Sequence, residues 1–197
     1  MKLGCVIMAA GASCRFGENK LLQDFLGRPL FTRVLDTAKG VFDETAVVTG
    51  YAPVKAYAEG LGYRAVENRQ PELGISHTIR LGLEALSNCD GVVFVTADQP
   101  LLTKQTLQKL AAAFLACPDC IHAVAAEGVR GNPCVFPREL FSELLQLQGD
   151  VGGGAVIKDH LDRLRLLEVP FEELMDCDTP DSLEKCREKA EKSEKII

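Results

Sequence analysis

The chain has 197 residues, and its 22 Lys and Arg against 28 Asp and Glu give a formal net charge of −6. This length suits one domain with its own core, and a hydrophobic fraction of 47% with 25% charged residues excludes a disordered or fibrous chain. An acidic chain lacks the broad positive surface that non-specific nucleic-acid binding needs, and no apolar run approaches the ~20 residues of a membrane span. We therefore expect neither a nucleic-acid partner nor a membrane, although a small anionic ligand stays possible.

Short apolar runs alternate with longer stretches of three-to-four apolar periodicity over residues 1–126. The runs predict strands at residues 3–8, 45–49, 64–67, 92–96 and 121–125, and the periodic stretches predict helices at 29–38, 53–59, 76–86 and 103–116. The first and fourth runs are almost continuously apolar, as strands buried on both faces are. This alternation predicts a three-layer α/β domain with a mostly parallel sheet, in which ligands bind beyond the carboxyl ends of the strands.

The pattern changes after residue 126. Gly128 and the run from Gly131 to Pro133 predict a loop, followed by a short strand at 134–136 and a helix at 137–146. A glycine-rich loop at 149–154 leads into a helix at 155–160, and a last strand is predicted at 164–169. Thr179 and Pro180 are typical of a helix start, and they predict a solvated helix at 181–195.

Eight cysteines are scattered through apolar segments of a chain large enough to fold without disulfide bonds. We interpret them as reduced thiols of a cytoplasmic protein. Cys117 and Cys120 are the one close pair, and no second pair of this spacing accompanies them. This pair is a weak indication of a metal or redox site, and a plain loop after a helix is the other interpretation.

The strongest local signal lies between the first predicted strand and Lys20. Small residues from Ala9 to Gly17 let the backbone approach a ligand, and successive free N–H groups in such a loop favour anions. Arg15 and Lys20 add positive charge at the same place. The loop is neither a Rossmann fingerprint nor a Walker A motif, because five residues separate Gly11 from Gly17 and no Lys-Ser/Thr follows. It predicts a phosphate-binding turn, whereas without the two basic residues a plain tight turn would explain it equally well.

Four motifs carry a resemblance to a known family. They are Ala9-Ala10-Gly11-x-Ser13-x-Arg15-x-Gly17-x-x-Lys20, Leu26-Gly27-Arg28-Pro29-Leu30, the stretch at 74–82, and Ala97-Asp98-Gln99-Pro100. Together they resemble the MobA-like nucleotidyltransferases, a family with a Rossmann-like α/β fold, over nearly the whole chain. The resemblance implies one nucleotidyltransferase domain at 1–197, with a nucleotide-binding part at 1–126 and an acceptor-binding and C-terminal part at 127–197.

Finer features are similar to one branch of that family, the molybdenum cofactor cytidylyltransferases. These features are Gln99, Asn132-Pro133-x-Val135-Phe136-Pro137, Gly149-Asp150-x-Gly152 and Asp176-x-Asp178-Thr179-Pro180-Asp181. The branch implies that a terminal phosphate oxygen of molybdopterin attacks the α-phosphorus of CTP, which releases pyrophosphate and gives a cytidine dinucleotide cofactor. It also implies a molybdenum hydroxylase or its maturation factor as a partner.

The resemblance assigns roles to particular residues. It implies catalytic roles for Arg15, Lys20 and Asp98, without a nucleophilic side chain or a covalent intermediate. The implied nucleotide-binding residues are Ala9, Ala10, Gly11, Ala12, Ser13, Arg15, Lys20, Ser76, Arg80 and Ala97. The implied acceptor-binding residues are Gln99, Pro100, Asn132, Gly149 and Asp150. Taken alone, Ser76 would be a helix N-cap and Arg80 an exposed helix charge.

Physical reasoning supports a metal at two of the acidic residues. Asp98 follows an apolar strand, so its carboxylate would lie at the carboxyl edge of the sheet. Asp178 precedes a helix start, where a helix cap is the alternative explanation, and Asp176 is the less favoured alternative ligand. Because Mg²⁺ prefers a few hard oxygen ligands together with phosphate oxygens, we expect Asp98 and Asp178 to bind Mg²⁺.

One position departs from the branch pattern. Where the branch has Gly-Asp-x-Gly-Ala-Arg, this chain has Gly149-Asp150-Val151-Gly152-Gly153-Gly154, so the final cation is missing. The departure weakens the acceptor assignment more than the CTP assignment. It leaves open another nucleotide such as GTP, a sugar or polyol phosphate as the acceptor, or a molybdenum cofactor carrier without catalysis.

Overall fold

The computed structural model describes residues 1–11 and 19–194, and a seven-stranded sheet forms its centre. The strands of this sheet are β1 (Leu3–Ala9), β4 (Glu44–Thr49), β5 (Arg64–Glu67), β6 (Gly91–Thr96), β7 (Ile121–Ala126), β8 (Val129–Pro137) and β9 (Leu164–Glu168). Two short strands, β2 (Asp24–Phe25) and β3 (Arg28–Pro29), form a separate antiparallel pair. The order across the large sheet is β5-β4-β1-β6-β8-β7-β9, and β8 runs antiparallel to both neighbours. The predicted mostly parallel α/β fold is confirmed.

Helices cover both faces of the sheet. They are α1 (Phe31–Thr37), α2 (Ala52–Gly60), α3 (Ile75–Ala85), α4 (Lys104–Ala116), α5 (Phe141–Leu144), α6 (Gly154–Asp159) and α7 (Pro180–Glu194). Short 3-10 helices lie at Lys20–Leu22, Pro71–Leu73, Arg138–Leu140, Leu161–Arg163 and Phe171–Leu174. No helix in the described ranges is long and apolar enough to cross a membrane.

Two cores lie on opposite faces of the sheet, as alternating side chains of a strand require. On one face, Cys5 and Ile7 of β1 pack with apolar residues of α1, α2 and α4. On the other face, Val6 packs with apolar residues of α3, α5 and α6. A third, smaller cluster joins α7 to Phe25 and Leu30. The C-terminal helix is therefore anchored beside the chain segment that begins at Lys20.

The region after β7 differs from its prediction. The predicted loop at Gly131–Pro133 is part of β8, which extends the predicted strand at 134–136 towards the N-terminus. Glu127 and Gly128 have φ values of 53° and 77° and form a two-residue turn between β7 and β8. Two consecutive residues with positive φ match the twist of a hairpin, so pairing with β6 and β7 overrides the local preference of glycine, asparagine and proline for loops.

The cysteines also differ in part from their prediction. Cys117 and Cys120 are joined by a disulfide bond, so the expectation of eight reduced thiols is wrong for this pair. Cys5, Cys89, Cys134, Cys177 and Cys186 are free and buried. Cys14 lies outside the described residues.

Gly91 at the start of β6 is expected to tolerate no side chain. A Cβ at this position would lie within 3 Å of the ring of Phe114. Phe114 belongs to α4, and its side chain is fully buried in the core. Gly91→Ala should lower the free energy of unfolding by about 1–3 kcal/mol, because a packed ring has no room to move away. Urea denaturation measures this change. Gly60→Ala, at the end of α2 with no atom within 4 Å of the added Cβ, is the matched control and should leave stability unchanged or slightly raised. Equal stability of the two variants would contradict the packing argument.

Candidate active site

A cleft of about 470 Å³ opens at the carboxyl ends of β1 and β6. These two strands are parallel neighbours, and Met8 pairs with Thr96 at this edge of the sheet. The lining residues are Met8, Ala10, Gly11, Lys20, Leu21, Pro71, Glu72, Gly74, Ile75, Thr78, Thr96, Ala97, Asp98 and Asp150. The cleft lies where α/β sheets bind their ligands.

Lys20 joins two carboxylates at one wall of this cleft. Its Nζ donates to Asp98 Oδ2 and, at 2.6 Å, to Asp178 Oδ1. The side chains of Lys20 and Asp98 are only 12% and 17% exposed, whereas that of Asp178 is 48% exposed. Burial by itself would lower the pKa of Lys20, but the two carboxylates outweigh burial and raise that pKa. Lys20 is therefore a fixed positive charge at the cleft.

Backbone contacts bring the three residues together across the chain. Asp98 lies two residues after the end of β6, and its carbonyl oxygen accepts a hydrogen bond of 3.0 Å from the N–H of Cys177. This bond holds the segment before α7 against the end of β6, which places Asp178 beside Asp98. Asn19 caps the 3-10 helix that begins at Lys20, because its Oδ1 accepts from the N–H of Leu21 at 3.0 Å.

The donor set at this wall suits a hard divalent cation. Asp98 Oδ1 and Thr96 Oγ1 are buried and have no hydrogen-bond partner among residues 1–11 and 19–194. Buried polar atoms without a partner are costly, so an oxygen of this kind beside a second carboxylate indicates a missing ligand. Asp98 and Asp178 offer the carboxylate oxygens that Mg²⁺ or Mn²⁺ prefers.

A third carboxyl group, that of Asp176, lies close to the same two aspartates. Partial burial, followed by the negative charges of Asp98 and Asp178, raises its pKa from 3.8 to about 6, against smaller opposing effects of Lys20 and a hydrogen bond from Gln99. Asp98, Asp176 and Asp178 thus place three carboxyl groups close to the ammonium of Lys20. A divalent cation would reduce the repulsion among these carboxyl groups.

The raised pKa of Asp176 predicts a pH-dependent stability. The folded protein holds this proton up to about pH 6, whereas the unfolded chain releases it near pH 4, so folding takes up protons between these values. The contribution of Asp176 to stability therefore falls as the pH rises from 4 to 6.

The variant Asp176→Asn removes this titration, so the stability of the variant relative to the wild type should be higher at pH 7 than at pH 4.5. Urea denaturation in the presence of a chelator measures this difference in stability. Asp159→Asn, which changes an exposed aspartate, is the control. A difference independent of pH would contradict the assignment.

The structure places part of the predicted nucleotide-binding set at the cleft. Ala10, Gly11, Lys20 and Ala97 line it, together with Asp98. Ala9 ends β1 and is buried just behind the cleft, where its carbonyl oxygen accepts from Thr49 Oγ1 at 2.9 Å. The predicted residues Ala12, Ser13 and Arg15 lie outside the described residues.

Ser76 and Arg80 are not brought to the cleft. Both line a neighbouring cavity with His77, Leu147 and Gly149, while Ile75 and Thr78 of the same helix face the cleft. Arg80 Nη2 donates to the carbonyl oxygen of Leu145 at 2.9 Å. Residues that are adjacent in the motif therefore face different cavities, because neighbouring side chains of a helix such as α3 point about 100° apart.

The predicted acceptor residues are divided among several places. Asn132 lines a cavity next to the cleft, and Asp150 lines the cleft itself. Gly149 lies in the cavity of Ser76, whose N–H donates to the carbonyl oxygen of Gly149 at 3.1 Å. Gln99 is only 2% exposed, and its Nε2 donates to the carbonyl oxygen of Leu174 at 3.4 Å. Pro100 lines a groove between α1 and α7. Gln99 and Pro100 therefore lie away from the cavity of Asn132.

Several cleft residues were not among the predicted site residues. Met8 and Thr96 were predicted only as members of strands, whereas Ile75 and Thr78 belong to the motif at 74–82 but received no role of their own. All four reach the cleft because β1 and β6 end there and α3 begins there. Gly74 has a φ of 83°, and a Cβ at this position would overlap the backbone of Gly149. A glycine just before a helix was the one available indication of this close approach.

A separate group of possible metal ligands lies at the opposite edge of the sheet. Cys117, Cys120 and His122 have ligand atoms within 4.8 Å of one another, and they are the one such group of three in the part of the chain that the structure describes. His122 opposes Val135 in the half of β8 that is far from the cleft. The disulfide bond between the two cysteines leaves no thiolate to bind a metal.

Comparison with known proteins identifies the domain. Residues 5–164 match the family model of the MobA-like NTP transferase domain. Among curated proteins, the chain is similar to the bifunctional protein GlmU of Paracidovorax citrulli, with 38% identity over 120 residues. That alignment covers 56% of this chain and 25% of the relative, so the chain matches about a quarter of the length of this larger protein.

Solved structures share the fold over almost the full chain. A nucleotidyl transferase from Methanothermobacter superposes with a TM-score of 0.83 at 20% identity, covering 98% of this chain and 99% of that one. Rv0371c of Mycobacterium tuberculosis in complex with manganese has a TM-score of 0.74 at 24% identity, with 95% and 99% coverage. A CMP:2-keto-3-deoxy-manno-octonic acid synthetase complexed with CTP has a TM-score of 0.76 at 18% identity, with 98% and 100% coverage.

Proposed function

Because the chain belongs to the MobA-like NTP transferase domain family, we propose that it is a nucleotidyltransferase that moves CMP from CTP to the terminal phosphate of molybdopterin. The observation that carries this proposal is the cluster of Lys20, Asp98 and Asp178 beside the cleft at the carboxyl ends of β1 and β6. A buried cation and paired carboxylates are the parts that phosphoryl-type transfer needs, since the protein must position the phosphates and neutralise their charge.

The proposed transfer of CMP needs no covalent enzyme intermediate. A phosphate oxygen of the acceptor forms a new bond to the α-phosphorus of CTP, and the bond from that phosphorus to the oxygen bridging to the β-phosphate breaks. The electron pair of the broken bond leaves with pyrophosphate. Lys20 would hold phosphate oxygens and oppose the charge that builds on the leaving group, while Gly11 and Ala10 let the chain approach the nucleotide closely.

We propose that Mg²⁺ is the metal of this reaction and that Asp98 and Asp178 hold it, with Asp176 next to them. Two observations support this assignment: Asp98 Oδ1 has no hydrogen-bond partner among the described residues, and the three carboxyl groups lie close together. When bound, the ion supplies positive charge to the triphosphate and the leaving pyrophosphate. Lys20 then shares its carboxylate partners with the ion, which leaves its ammonium available to phosphate. The manganese complex of the related fold supports a divalent cation.

We propose a two-part division of the domain, with nucleotide binding at 1–126 and acceptor binding at 127–197. The cleft is lined mainly by residues before 126, and the cavity of Asn132 is formed mainly by β8 and the segment at 152–157. CTP as the nucleotide is supported by the CTP complex of the related synthetase. The same proposal includes a cytoplasmic location, since nucleoside triphosphates are used in the cytoplasm. It also includes delivery of the product to a molybdenum hydroxylase or its maturation factor.

A second candidate is nucleotidyl transfer to a sugar or polyol phosphate. The synthetase that shares the fold acts, by its name, on a sugar acid, and this observation favours an acceptor of that type. Transfer from GTP to the molybdenum cofactor and a non-catalytic carrier are the remaining alternatives. A carrier would have no use for the pair Asp98 and Asp178 at a buried lysine.

One experiment separates these possibilities. The protein is incubated with Mg²⁺, each of the four nucleoside triphosphates and either molybdopterin or a panel of sugar and polyol phosphates, and products are identified by mass spectrometry together with pyrophosphate release. The proposal predicts a cytidine dinucleotide with CTP and molybdopterin. A guanine dinucleotide would overturn the base assignment, and a sugar nucleotide would overturn the acceptor. No pyrophosphate with any pair would refute a nucleotidyltransferase and favour the carrier.

A further inference from the structure

A second cavity, of about 230 Å³, adjoins the cleft and shares Met8 and Ile75 with it. Its lining is mostly apolar and includes Ile79, Phe94 and Phe136, which belong to the buried core on the α3 face. The polar side chains among its lining residues are Arg130 and Asn132 of β8. The cavity therefore suits a small ligand with a flat or apolar body and a charged end.

Among the residues that the structure describes, Arg130 is the one charged residue that lines this cavity. It is half-buried, and within residues 1–11 and 19–194 its guanidinium makes neither a hydrogen bond nor an ion pair. A partly buried guanidinium without an anion is unfavourable, whereas its planar fork binds a phosphate through two parallel hydrogen bonds. The structure thus leaves a phosphate-binding group free at the side of the cleft.

Gly154 explains how this guanidinium has room. A Cβ at position 154 would lie 3.2 Å from Arg130 Nη2, so the end of this side chain would have to shift by a few tenths of an ångström. Arg130 of β8 therefore places its positive charge beside the start of α6.

We propose that Arg130 binds the phosphate of the acceptor in this cavity and that Gly154 leaves room for its guanidinium. This inference rests on the proposed function, because it assigns the phosphorylated acceptor of that reaction to the cavity of Arg130 and the nucleotide to the cleft. The acceptor class is a phosphomonoester of a flat ring compound, whose body packs on Phe94 and Phe136. Asn132 stands beside Arg130, and its Oδ1 accepts from Cys134 Sγ at 3.6 Å.

The kinetic test uses the full chain and pyrophosphate release with molybdopterin as the varied substrate. Arg130→Gln should raise the KM for molybdopterin about 10–100-fold, the loss expected for hydrogen bonds to a charged group, and should change the KM for CTP less than about twofold. Arg130→Lys should recover part of the loss, because it keeps the charge without the fork. Arg165→Gln, an exposed arginine of β9, is the control. An unchanged KM for molybdopterin in Arg130→Gln overturns the proposal.

The glycine is tested in the same assay. Gly154→Ala should raise the KM for molybdopterin several-fold, because the added Cβ displaces the guanidinium of Arg130. In the double variant Arg130→Gln with Gly154→Arg, the new arginine on α6 should supply a guanidinium at the same place and recover affinity. Equal KM values for Gly154→Ala and the wild type would overturn the role of Gly154. Thermal unfolding of each variant checks the fold.

A binding measurement separates this inference from the reaction itself. If the wild type releases no pyrophosphate with any nucleotide and molybdopterin, the proposed function fails, and calorimetric titration with phenyl phosphate still tests the cavity. Binding to the wild type that Arg130→Gln weakens at least tenfold supports the site. Equal binding to both proteins, or none to the wild type, overturns it.

Discussion

Asp98→Asn is expected to lower kcat/KM for the nucleotide by at least about two orders of magnitude while the protein stays folded. The substitution keeps the shape of the side chain, but it removes the charge that faces Lys20 and the anionic oxygen that a divalent cation would bind. Loss of a charged group in a site with little exposed surface is costly because water cannot replace it. Pyrophosphate release measures the effect.

The control for this prediction is Asp181→Asn, which removes an exposed carboxylate paired with Lys185 on α7. Exposed ion pairs of this kind contribute little, so the control should keep full activity and nearly full stability. Thermal unfolding with and without Mn²⁺ gives a second readout. Mn²⁺ should stabilise the wild type, and Asp98→Asn should lose this stabilisation. Near-normal turnover, or an unchanged response to Mn²⁺, would show that Asp98 is not a metal ligand.

Lys20→Ala is expected to lower kcat by about two to three orders of magnitude, because the ammonium is the fixed cation at the wall of the cleft. Without metal, the variant should also be less stable at neutral pH. Removal of the lysine takes away the ammonium that joins Asp98 to Asp178, and the repulsion among these carboxylates and Asp176 in a partly buried site is then less well compensated.

The two effects of Lys20→Ala can be told apart by adding a divalent cation. Mn²⁺ should raise the unfolding temperature of the variant more than that of the wild type, because the ion no longer competes with the ammonium for the carboxylates. Turnover should stay low at saturating Mn²⁺. Lys104→Ala, which removes an exposed lysine at the start of α4, is the control. Near-normal pyrophosphate release by Lys20→Ala would refute a catalytic role for this lysine.

The sequence predicted the fold of residues 1–126 closely. β1 and β6 were found because strands buried on both faces are continuously apolar, and α4 was found because Leu107, Leu110 and Phe114 lie on one helical face. The region after β7 was predicted less well. Glu127 and Gly128 are a two-residue hairpin turn, but the glycine, asparagine and proline that follow them suggest a loop when the paired strands are not known.

The candidate site was predicted in part. Lys20 and Asp98 were chosen because a basic residue after a glycine-rich turn and an acid after a buried strand both belong at the carboxyl edge of a sheet. The positions of Ser76, Arg80 and Gln99 could not be predicted from their motifs. A helix rotates adjacent residues by about 100°, and the packing of α3 and of the segment around Leu174 decides which of them face the cleft.

The sequence by itself therefore determined the layered α/β fold and the edge of the sheet where the cleft lies, because both follow from local periodicity and from residue types at strand ends. Only the tertiary structure decided which distant side chains meet. Asp178 reaches Asp98 through a backbone hydrogen bond between Cys177 and Asp98, and Arg130 fills the space left by Gly154. Both contacts join segments far apart in the chain, and such contacts depend on how the helices and strands pack.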